Sequence, residues 1–200
     1  MKKIKILLAI LISLTFVGAG CNNTKNTNNT TSLVNPNDIL NATAQVEQMK
    51  YKNFKLDITL YYPSNWKEEG QENKIIFYPN SQDLSQKTGT NLALSTQNLS
   101  NFPSTTLDQY TEIVKTDTLK RMTNANVINT EKITIGGLEA GVITYTANYP
   151  DVTDKTMKVR HTYILKDNTA YLLTYTATTD NFENFLAQAE KIVDSFQFNK

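Results

Sequence analysis

Few residues in this sequence of 200 could take part in covalent or metal chemistry. It contains one Cys, Cys21, and one His, His161. A single Cys allows no internal disulfide and no Cys-based metal site. A serine nucleophile activated by imidazole would have to use His161, yet the sequence lacks the Gly-x-Ser-x-Gly turn that presents such a serine. Since His161 falls in the middle of a predicted strand among core-type residues, we predict that it is structural.

Acidic and aromatic residues give no stronger indication of a site. Asp151 and Asp154 follow Pro150 in a predicted loop and could contact a cation, but no EF-hand spacing surrounds them. Tyrosines at alternate strand positions could stack on a ligand, although that spacing is typical of core residues: Tyr145, Tyr163, Tyr171 and Tyr175. We therefore predict no catalytic residue, no metal ligand and no cofactor-binding residue.

Cys21 directly follows a segment with the features of an export signal. Met1 to Lys5 is cationic, Ile6 to Val17 is apolar, and residues 18–20 are small. A membrane span needs about 20 apolar residues, so this shorter run predicts a removable leader over residues 1–20.

The residues around Cys21 resemble the lipobox of bacterial lipoproteins, here Val17-Gly18-Ala19-Gly20-Cys21. The resemblance implies diacylglycerol on the Cys21 thiol, carrying acyl chains such as palmitate, and a location at the extracytoplasmic face of the cell membrane. Two acyl chains hold a protein on a bilayer where one is marginal. Gly18 stands where the lipobox usually has Leu and also suits ordinary signal peptidase. A freely secreted protein with an unmodified thiol is therefore the alternative.

The remaining chain is long enough for one domain. Residues 22–32 contain no apolar side chain, so residues 21–37 are predicted to form a flexible spacer and residues 38–200 the folded domain. Lys and Arg number 20 and Asp and Glu 19 in the whole chain, and three of the lysines lie in the leader. The mature part then has a net charge of about −2, which argues against nucleic acid as a partner.

The first half of the domain predicts one helix and several strands. Pro36 and Asp38 could begin a short helix that continues to Met49. The alternation from Phe54 to Leu60 predicts a strand that closes at residues 61–63, and further strands are expected at 74–78, ending at Pro79, and at 91–97. Thr106 begins a capping-box pattern, which predicts a helix with one buried face: Leu107, Tyr110, Val114, Thr118 and Met122.

The second half predicts two hairpins and a final helix. Strands 127–135 and 138–148 are joined by Gly136-Gly137, and strands 155–166 and 169–178 by Asp167-Asn168. Both faces of this sheet carry large apolar groups, so we expect helices on each. The last helix is predicted to begin at Asp180 with Glu183 completing a capping box, and its apolar stripe contains Phe182, Phe185, Leu186, Ala189, Ile192, Val193 and Phe196.

Three segments between about residues 50 and 198 resemble the PsbP family, named after an extrinsic subunit of photosystem II. They are the early strand ending in Tyr62-Pro63-Ser64-Asn65-Trp66, the hairpin around Gly136-Gly137, and the strand at 171–178 that leads into the helix with Val193-Asp194-Ser195-Phe196. The resemblance implies an α+β fold, an α/β/α sandwich whose central, mainly antiparallel β-sheet is covered by helices on both faces. It implies no photosynthetic function.

Two hypotheses for function remain. The first is a binding or assembly module without catalytic activity, attached to the membrane through lipid on Cys21 and contacting a membrane protein or another component of the cell envelope. The alternative is an extracytoplasmic hydrolase that acts on cell-wall or glycan material with two carboxylates at working distance. A cleft with paired carboxylates would favour the hydrolase.

Overall fold

A computed structural model describes residues 46–71, 74–80 and 89–199 of the chain. The predicted leader, Cys21 and the predicted spacer lie outside the described residues, as does most of the helix expected before Met49. Within the described residues the strands and helices are, in order, β1 (Gln48–Asn53), β2 (Ile58–Pro63), β3 (Trp66–Gln71), β4 (Lys74–Pro79), β5 (Asn91–Asn98), α1 (Leu107–Arg121), β6 (Thr123–Ile135), β7 (Leu138–Asn148), β8 (Thr156–Lys166), β9 (Thr169–Thr178), α2 (Phe182–Asp194) and β10 (Gln197–Phe198).

Seven of these strands form one sheet in the order β3-β4-β5-β9-β8-β7-β6, and every neighbouring pair is antiparallel. A smaller antiparallel sheet has the order β1-β2-β10, so the last strand returns to the first hairpin. The predicted α+β class with a central antiparallel sheet is confirmed.

The two hairpins of the second half are formed as predicted. Gly136 and Gly137 have φ angles of 58° and 81°, and Asp167 and Asn168 have φ angles of 50° and 57°. Positive φ at both central residues is the conformation of two-residue turns that match the twist of the flanking strands. The β8–β9 register places His161 opposite Thr174 and Tyr163 opposite Leu172.

One helix covers each face of the large sheet, as the two apolar faces predicted. α1 packs on β6 and β7, over a core of Leu99, Tyr110, Val114, Ile143, Tyr145, Ala147, Val159, Tyr163, Ala170 and Leu172. α2 packs against β9 and β2 on the opposite face, where the core includes Leu60, Trp66, Phe77, Ile164, Leu173, Tyr175, Phe182, Ile192 and Phe196.

The predicted start of α1 is confirmed in detail. The Thr106 hydroxyl accepts a hydrogen bond from the Gln109 backbone N–H, and the Gln109 side chain accepts one from the Thr106 backbone N–H. This reciprocal pair satisfies two donors that a helix start otherwise leaves unpaired. Tyr110, Val114 and Thr118 form the buried face.

The predicted capping box of α2 is wrong. Asn181, not Asp180, is the N-cap, and its side chain makes no capping hydrogen bond. Asn181 has helical backbone angles rather than the extended ones of a capping residue. Glu183 does not fold back onto the helix start because its carboxylate accepts a hydrogen bond from Lys158 Nζ at 2.8 Å. The apolar stripe itself is confirmed.

The first strands differ from the prediction. Gln48 and Met49 belong to β1 instead of a helix, and residues 54–57 form a turn, so that β2 begins only at Ile58. The Asn53 side-chain oxygen accepts hydrogen bonds from the backbone N–H groups of Lys55 (3.0 Å) and Leu56 (2.9 Å). This local bonding holds the backbone in a turn where hydrophobic alternation alone predicted a strand.

Candidate functional site

His161 is a core residue of β8, as predicted. It is 3% exposed, and its Nδ1 lies 2.7 Å from the Thr174 hydroxyl. Its Nε2 has no hydrogen-bond partner. Burial lowers the pKa of the imidazole from 6.5 to about 4, so the neutral ring is the form that the fold accepts at neutral pH.

The structure does not assemble the other residues considered from the sequence into a site. Asp151 and Asp154 are exposed in the loop between β7 and β8. Within residues 46–71, 74–80 and 89–199, no three His, Cys, Asp or Glu side chains come close enough together to bind a metal ion. Tyr145, Tyr163 and Tyr175 are buried in the two cores, and Tyr171 packs at the edge of one of them. Packing in the cores therefore accounts for the alternate spacing of these tyrosines.

A cleft of about 280 Å³ opens between α2 and the sheet, and we call it the α2 cleft. It is lined by Ile133, Thr134, Arg160, Thr162, Tyr175, Leu186, Ala189, Glu190, Val193 and Asp194. Arg160 and Thr162 are two residues apart on β8 and therefore share the face that α2 covers. Glu190 and Asp194 are four residues apart on α2 and share one side of the helix. Strand and helix periodicity together bring these polar groups to one opening.

Charge in the α2 cleft is unbalanced. Arg160 Nη1 lies 2.9 Å from a Glu131 carboxylate oxygen, and Arg160 Nε lies 3.5 Å from one of Glu190. Asp194 is exposed and has no cationic partner among the described residues. Among the residues that line the cleft, one guanidinium against two carboxylates leaves a net charge of −1. A positively charged group would be attracted to this opening.

Thr162 lines the cleft with a hydroxyl that can donate and accept a hydrogen bond. The residue is 2% exposed, and its hydroxyl is not one of the fully buried side-chain atoms that lack a partner. A ligand atom that entered the cleft could form a hydrogen bond with it. Ile133, Leu186 and Val193 form apolar walls beside it.

A second cavity of about 300 Å³ lies beside the β8–β9 turn. Phe102 and Pro103 form part of its wall, and its charged residues, Lys166 and Asp167, are adjacent in sequence and paired with each other. This cavity therefore presents no unbalanced charge to a ligand.

Sequence reasoning missed the α2 cleft because each charged residue was an ordinary surface residue of its own strand or helix. A usable signal was present in the spacing of Glu190 and Asp194 and in the alternation of Arg160 and Thr162. What the sequence did not provide was the packing of α2 against β9 and β2, which brings the helix pair beside the two β8 residues.

The carboxylates of the α2 cleft do not have the surroundings of a glycosidase pair. The general acid of such an enzyme needs a carboxyl group held in apolar surroundings that keep it protonated. Glu190 instead lies beside a guanidinium, and 43% of its side chain is exposed to solvent. Asp194 is more open still. The geometry favours binding over acid catalysis.

Comparison with known proteins agrees with the architecture. The sequence matches the family model described as PsbP-like protein over residues 4–198. This chain belongs to the PsbP-like family. No curated protein sequence matches it. Neither α1 nor α2, the helices within the described residues, is long and apolar enough to span a bilayer.

Solved structures with a similar fold have low sequence identity to the PsbP-like chain. Cyanobacterial PsbP from Synechocystis sp. PCC 6803 has a TM-score of 0.53 at 14% identity, covering 78% of this chain and 95% of its own. LpqN of Mycobacterium tuberculosis, described as involved in cell envelope biogenesis, has a TM-score of 0.52 at 14% identity, covering 77% and 91%. A Pseudomonas aeruginosa protein described as a putative regulator has a TM-score of 0.53 at 13% identity, covering 74% and 94%. At these identities the likeness concerns the fold.

Proposed function

We propose that this PsbP-like protein is a lipoprotein of the extracytoplasmic membrane face, and that it acts as a binding or assembly module without catalytic activity. The leader and the lipobox-like residues before Cys21 support the anchor. The fold shared with LpqN, whose description places it in envelope biogenesis, supports a binding role.

The observation that carries the binding role is the α2 cleft. Its excess of negative charge and its apolar walls fit a cationic group on an apolar stem, and the Thr162 hydroxyl can form a hydrogen bond with that group. Lysine and arginine side chains of a partner protein, or primary amines of an envelope polymer, have this chemistry. The stem would lie along Leu186 while the cation approached Asp194. Replacing Asp194 with Asn should weaken such binding about tenfold or more, the usual worth of a hydrogen bond to a charged group.

Site-specific photo-cross-linking in cells tests the cleft. A cross-linking residue at Leu186 should give a defined product, which Asp194→Asn removes. The matched control places the same residue at Ile128, an exposed position on β6 outside the cleft lining. Identical products from both positions, or a Leu186 product unaffected by Asp194→Asn, would contradict binding in the cleft.

Cys21→Ala tests the anchor. Without the thiol, lipid cannot be attached, so the protein should appear in the medium or remain as uncleaved precursor. A cleaved variant that stays in the membrane fraction would refute lipidation.

The need for a tether requires a separate comparison. A secreted form without Cys21, expressed at matched abundance in a deletion strain, should rescue poorly, because the anchor raises the local concentration of the domain near membrane-bound partners. Full rescue by this form would favour a soluble ligand or the hydrolase alternative.

A further inference from the structure

The tip of the β1–β2 hairpin exposes an aromatic ring. Phe54 lies in the turn between the two strands and is 80% exposed. Six large apolar side chains are exposed in the described residues, and three of them, Val46, Met49 and Phe54, fall within residues 46–54. Phe54 is the most exposed of the six, and its position in the turn at the end of the hairpin leaves its ring available for contact with another surface.

Lysines surround this ring. Lys50, Lys52 and Lys55 are exposed, and Lys52 Nζ lies 4.6 Å from the centre of the Phe54 ring. Lys50 and Lys52 alternate with Tyr51, which packs inward against Phe77 with ring centres 5.6 Å apart. The two lysines therefore point away from the core, and Lys50 Nζ lies 5.9 Å from the Tyr61 ring centre.

Lys50 and Lys52 form no ion pair with a carboxylate of the described residues. Glu47 stands at the far end of β1, and Asp57 accepts a hydrogen bond from Asn199 Nδ2 at 3.1 Å. The hairpin thus presents an exposed aromatic ring together with two exposed lysines that have no acidic partner among the described residues.

We propose that this hairpin docks on an anionic lipid surface, with Phe54 in the headgroup region and Lys50 and Lys52 against lipid phosphates. Aromatic rings flanked by lysines are favoured at that boundary because the ring is partly desolvated while the ammonium groups remain with water and phosphate. The proposal rests on the proposed anchoring, since a tether keeps the tip near lipid. Cys21 precedes Val46 by 25 residues, and the hairpin is the first described element after it.

The sole thiol allows a test that does not depend on lipidation in cells. All described strand pairs fall within residues 48–198, so a chain that begins at Cys21 contains every described element. This chain is coupled through Cys21 to maleimide lipid in vesicles of phosphatidylcholine with or without phosphatidylglycerol. Phe54→Trp places a fluorophore at the tip, and Leu119→Trp places one on exposed α1 as the matched control. Trp66 is 3% exposed and contributes the same background to both.

On vesicles with phosphatidylglycerol, Phe54→Trp should show blue-shifted emission and quenching by nitroxide-labelled lipid, and Leu119→Trp should show neither. Adding Lys50→Gln and Lys52→Gln should lower the ratio of docked to free tips roughly 25-fold, because each lysine near an anionic surface contributes about fivefold. Vesicles of phosphatidylcholine alone should give a similar loss. Equal quenching at the two positions, no quenching at position 54, or quenching insensitive to both lysines and lipid charge would overturn the proposal. A failure of Cys21 lipidation in cells would leave these results unchanged and is therefore distinguishable.

Discussion

The two helices cover opposite faces of one sheet, but different interactions hold them there. α1 begins with a complete capping box and buries only three side chains. α2 has no side-chain cap and docks through an apolar stripe that continues to Phe196 in the turn that follows it. The stability of α1 therefore depends more on local hydrogen bonds at its start, and that of α2 depends more on packing against residues distant in the sequence.

The two faces of the sheet also differ in whether solvent can reach their polar groups. On the α1 face, His161 Nε2 and the Thr118 hydroxyl are buried without a partner. On the α2 face, charged groups collect in an open cleft where solvent or a ligand reaches them. The polar atoms of the α1 core are thus closed off from solvent, whereas those of the α2 cleft are accessible to it.

The largest effect should come from emptying the core under α2. Phe196 is fully buried, so Phe196→Ala should lower the free energy of unfolding by about 3–5 kcal/mol. Phe185 lies on the same stripe but is only half-buried, so Phe185→Ala should cost clearly less. Denaturant midpoints of both variants measure the difference. Equal midpoints for the Phe196 variant and the unchanged protein would mean that α2 is not docked as described.

The α1 face should respond to acid through His161. Burial lowers the pKa of His161 to about 4 from 6.5, so between these values the unfolded chain binds a proton that the folded chain excludes. Stability is complete above pH 6.5 and falls as the pH drops towards 4, by about 3 kcal/mol in total.

His161→Gln removes this titration and leaves an amide that can still reach Thr174. The variant should therefore show a flatter dependence of unfolding free energy on pH between 6.5 and 4 than the unchanged protein. Titrating carboxylates elsewhere are common to both proteins and cancel in the comparison. Parallel pH profiles would contradict a buried, neutral His161.

The second half of the fold was predictable because its turns are encoded locally. Gly136-Gly137 and Asp167-Asn168 adopt positive φ readily, and the strands beside them alternate clearly, so the turn residues fixed the register. The first half was less predictable. β3 is an edge strand containing Glu68, Glu69 and Gly70, and this polar sequence shows no hydrophobic alternation. The turn that follows Asn53 takes up the first residues of the alternation from Phe54 to Leu60, so that alternation predicted too long a strand.

The candidate site could not be predicted for a different reason. Its residues come from β6, β8, β9 and α2, which are separated by up to about sixty positions in the sequence, and only the packing of α2 on the sheet assembles them. Charged residues on exposed strand and helix positions carry no signal of that assembly. Cys21 is the opposite case, because its predicted role follows from adjacent residues alone.

Gly141 gives a smaller effect on the α1 face. A Cβ at this position would lie 2.3 Å from Tyr163 Cε2, and the Tyr163 hydroxyl donates to Thr111 on α1 at 2.6 Å. Gly141→Ala should therefore displace the ring and cost about 1–3 kcal/mol of unfolding free energy. Gly89→Ala is the control, since its Cβ would meet only Thr178 Cγ2 at an ordinary 3.7 Å. Similar melting temperatures for the two variants would contradict the close packing of Tyr163 on Gly141.

The smallest effects separate the two helix starts. Thr106→Ala removes the hydroxyl that accepts from Gln109 and should cost about 1 kcal/mol. Asp180→Ala should cost less than about 0.5 kcal/mol, because Asp180 is exposed and does not cap α2. Thr106→Ser, which retains the hydroxyl, should stay close to the unchanged protein. Urea unfolding of the three variants measures these differences. If Asp180→Ala cost as much as Thr106→Ala, α2 would be capped after all, and the contrast between a locally stabilised α1 and a packing-dependent α2 would fail.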